Sequence, residues 1–168
     1  MSDLRARARR LGVVVVENPT HFTDGPERMR ARFGDARSHF YQPFASLPTD
    51  GIPLGIGSDG PLNPFLNLQF AVTHPDNPGE ALTREQAVRA YTCGSAYAER
   101  AERDKGTLAP GFLADLAILS QDIFAVPDDR LPETVSVMTI VGGRIAYDAR
   151  VLSSPGAPGG ARPTRQSR

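Results

Sequence analysis

Hydrophobic residues form two short unbroken runs in the first third of the chain. Val13–Val16 is β-branched and apolar at every position, which is typical of a parallel strand covered on both faces rather than of an alternating surface strand. Ile52–Gly57 is a second run of this kind. Polar loops follow at once, Glu17–Phe22 after the first run and Ser58–Pro61 after the second. This pattern predicts two βα units of a parallel sheet or barrel.

Helical periodicity is clearest in the middle of the chain. Thr83 and Gln86 have the spacing of a capping box, which predicts a helix that begins at Thr83. One face of this helix carries small and apolar residues at helical spacing: Ala87, Val88, Tyr91, Ser95 and Ala98. We expect a polar exit over residues 99–105 and a helix end at Gly106. A shorter helix is predicted over residues 26–33.

The pattern becomes β-like after residue 106. Leu116–Leu119 is a short apolar strand, and Thr134–Val141 is rich in β-branched residues. Gly142 and Gly143 supply the positive φ angles of a tight hairpin into Arg144–Tyr147. We therefore expect a small antiparallel layer in this part of the chain rather than another barrel unit.

The composition is that of an ordinary globular protein. Of the 168 residues, 40% are hydrophobic and 23% charged, which is enough for a domain with a real core. Nineteen basic residues balance nineteen acidic ones, so the composition indicates no nucleic-acid or acidic-membrane partner. The single cysteine, Cys93, excludes an internal disulfide and fits a reducing compartment. No run approaches the ~20 apolar residues of a membrane span or the about 7–15 of a secretory signal, and we expect a cytoplasmic protein.

Asp59 is the first candidate for chemistry. It follows the predicted strand at residues 52–57, at the carboxyl end where α/β barrels assemble their active sites from loops. A carboxylate there can bind a metal or accept a proton from a water that a metal activates. The alternative is a turn aspartate, since Ser-Asp-Gly-Pro is favourable turn chemistry. Spacing alone leaves both interpretations open.

His21 lies at the matching end of the earlier strand. A neutral imidazole can ligate zinc or bind a substrate oxygen, and the alternative is a hydrogen-bonded loop histidine. We expect His39 and His74, which stand in polar loops, to be structural or solvated. The three histidines are far apart and include no His-x-His pair, so a metal site made by this chain alone is not expected.

Five ordered segments resemble the amidohydrolase superfamily, two of them being the helix over Leu82–Ala96 and the hairpin Met138–Tyr147. Ile56–Pro64 is similar to the last barrel strand of that family, which ends in Gly-Ser/Thr-Asp; the match gives Asp59 the family's role of metal ligand and proton shuttle. Lys105–Leu119 resembles the glycine-rich transition into the family's small β-sandwich. Leu11–His21 is similar to the penultimate barrel strand, with His21 in the Pro-x-His arrangement of the formamide-deformylase-like branch.

The resemblance covers residues 4–150 in consistent order and implies the fold. We expect an α/β protein that holds the last two βα units of a (β/α)8 TIM-like barrel plus part of a small β-sandwich, so that the barrel is incomplete. On this view residues 1–105 form the C-terminal part of the barrel and 106–150 the sandwich segment. Residues 151–168 form a disordered tail, because this segment is rich in proline and glycine and nearly free of apolar residues.

Several metal ligands of the resembled family have no counterpart in this chain. The family begins its barrel with His-x-His, adds a bridging carboxylated lysine or a glutamate, and takes histidines from the fifth and sixth strands. Lys105, the only lysine, follows the late helix rather than a barrel strand and is not the bridge. A complete barrel takes about 250 residues, and two isolated barrel strands would expose apolar edges and faces.

The resemblance implies a hydrolase of carbon–nitrogen bonds other than peptide bonds, acting on a small amide, formamide or cyclic amide. In the whole enzyme zinc or a similar divalent metal activates water, Asp59 serves as metal ligand and general base, and His21 holds the substrate. We expect the isolated chain to bind no metal tightly and to be inactive without a complementing subunit or the rest of a longer protein.

Two other hypotheses remain at this stage. The chain is either a non-catalytic remnant that binds a partner or itself through its exposed sheet, or an unrelated small α/β binding domain. The first differs from the enzyme because no upstream segment or neighbouring protein supplies the missing metal ligands. The second requires the ordered motifs to be coincidental.

Overall fold

The structure, a computed structural model, describes residues 2–38 and 40–151. Its strands are β1 (Val15–Glu17), β2 (Leu54–Ile56), β3 (Leu116–Leu119), β4 (Ser136–Val141) and β5 (Arg144–Asp148). Its α-helices are α1 (Ser2–Arg10), α2 (Pro26–Phe33), α3 (Asp35–Ser38), α4 (Ser46–Thr49), α5 (Pro64–Thr73), α6 (Arg84–Arg89) and α7 (Ser95–Ala98). The expectations for His39 and for the tail beyond Val151 lie outside the described residues.

Within the described residues the strands form two small sheets, so the fold is mixed α/β. β1 pairs with β2 in parallel, with Val15 opposite Leu54 and Glu17 opposite Ile56, which confirms the predicted parallel pairing. β2 is buried along its whole length. Val16, however, is 49% exposed; the expectation of two covered faces is therefore right for β2 and wrong for β1. That this sheet is part of a barrel remains a prediction.

The second sheet has the antiparallel order β3-β4-β5, as the sequence predicted. Gly142 and Gly143 form the hairpin with φ angles of 56° and 75°, which residues with a Cβ adopt only at a cost. Every residue of β5 is exposed, including Ile145 at 61%. In the described part of the chain this sheet therefore has an apolar surface without a covering layer.

Two element boundaries differ from the prediction. β1 starts two residues late because the amide of Val13 still donates to the carbonyl of Ala8, at 3.0 Å, in the exit turn of α1. The late helix ends at Ala98 rather than at Gly106. Its end is set by Arg100, which has a left-handed φ of 61°, so the predicted polar helical exit is a series of turns instead.

The start of that helix is as predicted, but its interior is not regular. The Thr83 hydroxyl accepts from the Gln86 amide at 3.2 Å, and the Gln86 side chain accepts from the Thr83 amide at 2.8 Å, which confirms the capping box. A π-helical turn over Ala90–Gly94 joins α6 to α7. Such a turn adds a residue and rotates the face that follows it. Ala90, at its start, and Ala96, beyond it, are buried.

α5 was not predicted from the sequence. Its cap is Asn63, whose side-chain oxygen accepts from the amides of Phe65 at 3.0 Å and Leu66 at 3.1 Å. Pro64 occupies the first helical position, where its missing N–H costs nothing. Apolar residues lie on more than one face of α5, which hides the helical period, and the Asn-Pro pair was the available signal.

One hydrophobic core joins most elements of the described chain. Its larger buried members come from β2, from the loops beside α4 and from the helices: Phe22, Phe44, Leu47, Ile52, Leu54, Ile56, Leu68 and Leu82. Ile123 and Leu131, from the segment after β3, belong to the same core. Arg84 fastens that segment further, since its guanidinium donates to the carbonyls of Ile123 and Val126. No helix in the described ranges is long and apolar enough to cross a membrane.

The π-helical turn packs against the backbone of β2 at very short range. An ideal Cβ placed on Gly94 would lie 2.1 Å from the carbonyl oxygen of Leu54, so only glycine fits there. One residue further, the hydroxyl of Ser95 donates to the carbonyl of Ile56 at 3.0 Å. This contact holds β2, and hence the loop that follows it, at a fixed distance from the helix.

We predict that Gly94→Ala lowers the free energy of unfolding by about 3 kcal/mol, because the added methyl group meets backbone that cannot rotate away. Urea denaturation followed by circular dichroism measures the change. Gly79→Ala is the matched control: its Cβ would face only the end of the Asn77 side chain, at 3.3 Å, and we expect a change below about 1 kcal/mol. Equal stability of Gly94→Ala and the parent would show that the helix can move off β2.

Candidate active site

The structure brings together the two side chains singled out from the sequence. His21 lies in a 3₁₀ helix, Pro19–Asp24, directly after β1, and Asp59 lies in the loop directly after β2. The Nε2 atom of His21 is 3.3 Å from Oδ2 of Asp59. Both groups reach solvent, with side-chain exposures of 37% and 80%. Parallel pairing of β1 and β2 accounts for the meeting, because it puts both carboxyl ends at one edge of the sheet.

The local backbone explains how Asp59 presents its carboxylate. Asp59 has a left-handed φ of 40°, a conformation that aspartate tolerates better than most residues. The Ser58 hydroxyl donates to the carbonyl of Pro61 at 3.2 Å and stabilises the turn. The helix that follows is capped by Asn63 and not by Asp59. Asp59 is therefore a turn residue whose carboxylate remains available to solvent and to His21.

His21 is held by its buried neighbours. Thr20 and Phe22 are both buried, and the Phe22 ring lies in an aromatic cluster at 5.5 Å from the ring of Tyr41 and 4.9 Å from that of His74. The Gln42 side chain donates to the carbonyl of Asn18 at 3.1 Å, in the turn that precedes His21. The imidazole thus projects outward from a well-anchored loop.

Glu17, the last residue of β1, has unusual electrostatics that the sequence analysis did not detect. Burial raises its pKa to about 7, and the nearby imidazole of His21 offsets part of that shift. The pKa of Tyr41 is also raised, chiefly by burial and further by the charges of Glu17 and Asp24. In the sequence, the signal for this shift was a charged residue directly after a run of valines. The result is a carboxyl group beside His21 that changes charge near neutral pH.

The remaining candidates have structural roles. His74 is fully buried. Its Nδ1 atom accepts from a backbone amide, and its Nε2 atom lies 3.0 Å from the carbonyl of Gln42. It is therefore a structural histidine and not a solvated one, the two roles expected for it from the sequence. The thiol of Cys93 donates to the carbonyl of Gly106. Lys105 forms an ion pair with Glu99.

The residues that the structure describes do not bring together a full set of metal donors. Among the described residues no three His, Cys, Asp or Glu side chains converge in a way that could hold an ion. An apolar depression of about 550 Å³ is lined by residues such as Ile52, Leu82 and Tyr97 and not by His21 or Asp59. The candidate site is thus an exposed pair of donors at a sheet edge rather than an enclosed pocket.

Comparison with known proteins gives a consistent result. A sequence profile of the amidohydrolase family matches residues 2–147. A putative amidohydrolase of Bacillus subtilis, YtcJ, is 28% identical over 159 residues, which cover 88% of this chain and 30% of that protein. The N-substituted formamide deformylase of Arthrobacter pascens is 26% identical over 148 residues, 82% of this chain and 27% of that protein.

Solved structures agree with the sequence relatives. The structure of an uncharacterized metal-dependent hydrolase from Pyrococcus horikoshii is similar with a TM-score of 0.68 and 28% identity, over 77% of this chain and 28% of that chain. This chain therefore spans 30% or less of the length of each of these three proteins.

We predict that Glu17→Gln removes a pH dependence from the stability of the protein. The folded-state pKa of Glu17 is raised from 4.5 to about 7, so between these values the unfolded chain loses a proton that the folded chain keeps. The free energy of unfolding of the parent should fall by about 2–3 kcal/mol relative to Glu17→Gln as the pH rises through this window. Below pH 4.5 the two should run parallel.

Chemical denaturation between about pH 4 and pH 8.5 measures this difference. Glu27→Gln, at an exposed position of α2, is the control and should follow the parent throughout. A difference between the parent and Glu17→Gln that does not vary with pH would mean that Glu17 titrates as an ordinary carboxylate.

Proposed function

Because this chain belongs to the amidohydrolase family, we propose that it is the C-terminal portion of a metal-dependent hydrolase that cleaves carbon–nitrogen bonds other than peptide bonds. The observation that carries the proposal is the 3.3 Å approach of His21 to Asp59 at the carboxyl ends of two adjacent parallel strands. Active sites of α/β barrels are built from loops in this position. On this proposal β1 and β2 are the last two strands of a TIM-like barrel, and residues 106–150 are part of its small β-sandwich.

The chemistry of the pair fits a zinc-like metal. A carboxylate oxygen and an imidazole nitrogen are both donors that zinc accepts, and a catalytic zinc site takes three protein ligands. Since no three metal-binding side chains converge among the described residues, we propose that the other metal ligands come from polypeptide outside this chain. Asp59 is the residue that would hold the metal on this side of the site. When bound, the metal supplies a water nucleophile at neutral pH by lowering the pKa of that water.

Asp59 would also act as the general base. Its exposed carboxylate can take the proton of the attacking water and return it to the nitrogen of the leaving amine. His21 would hold the carbonyl oxygen of the substrate, since its Nε2 atom lies 3.3 Å from the carboxylate of Asp59 and its side chain is partly exposed to solvent. Before substrate binds, the same nitrogen keeps the Asp59 side chain oriented.

The substrate class in this proposal is a small amide, formamide or cyclic amide. A relative named as an N-substituted formamide deformylase supports a formamide or a related carbonyl compound.

The openness of the site in the described chain supports the need for further polypeptide, because two exposed donors cannot exclude water or enclose a substrate. We therefore propose that the chain acts together with a complementing polypeptide, either the rest of a longer protein or a partner subunit, and is inactive alone.

A second candidate function is favoured by one observation. The sheet β3-β4-β5 exposes apolar side chains, among them Val141 at 55% and Ile145 at 61%. An apolar sheet surface of this kind binds another surface or self-associates. A non-catalytic, self-associating remnant is therefore the alternative to the hydrolase, and concentration-dependent sedimentation of the chain without any metal-dependent activity in the complemented protein would favour it.

We predict that Asp59→Asn lowers kcat at least about 1,000-fold in an enzyme in which this chain is joined with the missing barrel strands, because the variant loses both a metal ligand and the general base. Release of amine from N-substituted formamides and simple amides measures the rate. Metal content, determined on the same preparations, separates loss of metal from loss of the base.

Asp129→Asn is the control for this test, since Asp129 is an exposed aspartate in the segment Asp128–Glu133 and should leave kcat unchanged. Near-normal turnover by Asp59→Asn would show that Asp59 is a turn residue only, and the proposed role of this site would be lost.

A further inference from the structure

A buried threonine hydroxyl connects the two loops of the candidate site. Thr20 is 1% exposed, and its Oγ1 atom donates to the carbonyl oxygen of Ser58 at 2.8 Å. Thr20 immediately precedes His21, and Ser58 immediately precedes Asp59. The bond therefore joins the loops at the residue before each site side chain.

A second hydrogen bond fixes Thr20 from the opposite direction. Its backbone amide donates to Oδ1 of Asn67 at 2.9 Å. Asn67 is fully buried in α5, the helix that begins after the Asp59 loop. Because its amide is bound on one side and its hydroxyl on the other, Thr20 has little freedom to move, and neither has the peptide that leads to His21.

The Asp59 loop comes unusually close to this hydroxyl. An ideal Cβ on Gly60 would lie 3.2 Å from Oγ1 of Thr20. Asp59 itself has the left-handed φ of 40°, a conformation that needs support from its surroundings. The hydroxyl of Thr20 thus lies where the loop makes its turn.

Few other hydrogen bonds of the described residues join the two loops. The last bond of the β1–β2 ladder runs from the amide of Gly57 to the carbonyl of Glu17 at 2.8 Å. Beyond it, among the hydrogen bonds of the described residues, the one from Thr20 to Ser58 bridges these loops. The side-chain pair of His21 and Asp59 comes next.

We propose that Thr20 is a positioning residue, whose hydroxyl sets the separation between the His21 imidazole and the Asp59 carboxylate. Its effect on loop geometry is independent of any reaction. Its effect on turnover rests on the function proposed above, because only there does the spacing of the pair matter.

The simpler explanation is that Thr20 only fills space in the core, and two variants separate the explanations. Thr20→Val keeps the volume and removes the hydroxyl, while Thr20→Ser keeps the hydroxyl and removes the methyl group. If Thr20 only fills space, Thr20→Ser should disturb the contact between His21 and Asp59 more than Thr20→Val does. If Thr20 positions the loops, Thr20→Val should disturb this contact more, whichever variant has the higher melting temperature.

The test uses the whole chain labelled with ¹⁵N at histidine and follows the ring-nitrogen resonances of His21 at a fixed pH. Asp59→Ala, which removes the carboxylate, supplies the reference value for a lost contact. We expect Thr20→Val to move the Nε2 resonance most of the way to that reference and Thr20→Ser to keep the parent value. If Thr20→Val does not fold, as judged by circular dichroism, Thr20→Ala removes the hydroxyl without placing a methyl group against the Ser58 carbonyl. A parent-like resonance in the hydroxyl-free variant, or equal shifts in it and Thr20→Ser, would overturn the proposal.

The same variants in the complemented enzyme test the catalytic consequence. We expect the hydroxyl-free variant to lower kcat about 10- to 100-fold, since small displacements of reacting groups cost rates of this size, with KM changed less than kcat. Thr20→Ser should stay within a few-fold of the parent. A shifted resonance together with unchanged turnover would uphold the positioning role and count against the proposed function instead.

Discussion

The close approach of Gly94 to the carbonyl of Leu54 is the contact on which the site depends. It leaves no room for a side chain, so the helix lies directly on the strand backbone, and the Ser95 hydroxyl then binds the carbonyl of Ile56. The position of β2 fixes the loop that carries Asp59, three residues beyond the strand end. Parallel pairing passes the same constraint to β1 and so to His21. Contacts between small groups and backbone thus set the location of two exposed polar side chains.

Two buried amide side chains bind the turn around His21. Asn67 and Gln42 are buried, and each uses one amide atom to bind the turn around His21. Their other amide atoms, Nδ2 of Asn67 and Oε1 of Gln42, have no partner among the described protein atoms. A buried polar atom without a partner costs about 1–3 kcal/mol. The side-chain hydrogen bonds that the structure shows for these two buried amides thus serve the loop of His21.

Signals confined to a few neighbouring residues predicted the structure well, and signals that depend on packing did not. The parallel strands, the capping box at Thr83 and the Gly142-Gly143 hairpin follow from local pattern and turn chemistry. The end of the late helix does not follow from local pattern, because Arg100 adopts a left-handed conformation that is uncommon for arginine. Likewise, the placement of His21 and Asp59 at strand ends was predictable, while the pKa of Glu17 depends on how deeply the folded chain buries it. Metal binding by the pair stays a prediction.

The segment after β3 contributes to the site although it lies far from it in sequence. Its 3₁₀ helix, Asp128–Glu133, buries Leu131 in the common core, and the carbonyl of Pro132 accepts from the side chain of Asn63, the cap of α5, at 3.0 Å. α5 carries Asn67, which binds the backbone of Thr20. A series of buried and partly buried contacts thus leads from the segment after β3, through the helix cap, to the loop of His21. If the loops move when the rest of the protein assembles, this series resists the movement, because its steps are buried or partly buried hydrogen bonds and packed apolar side chains.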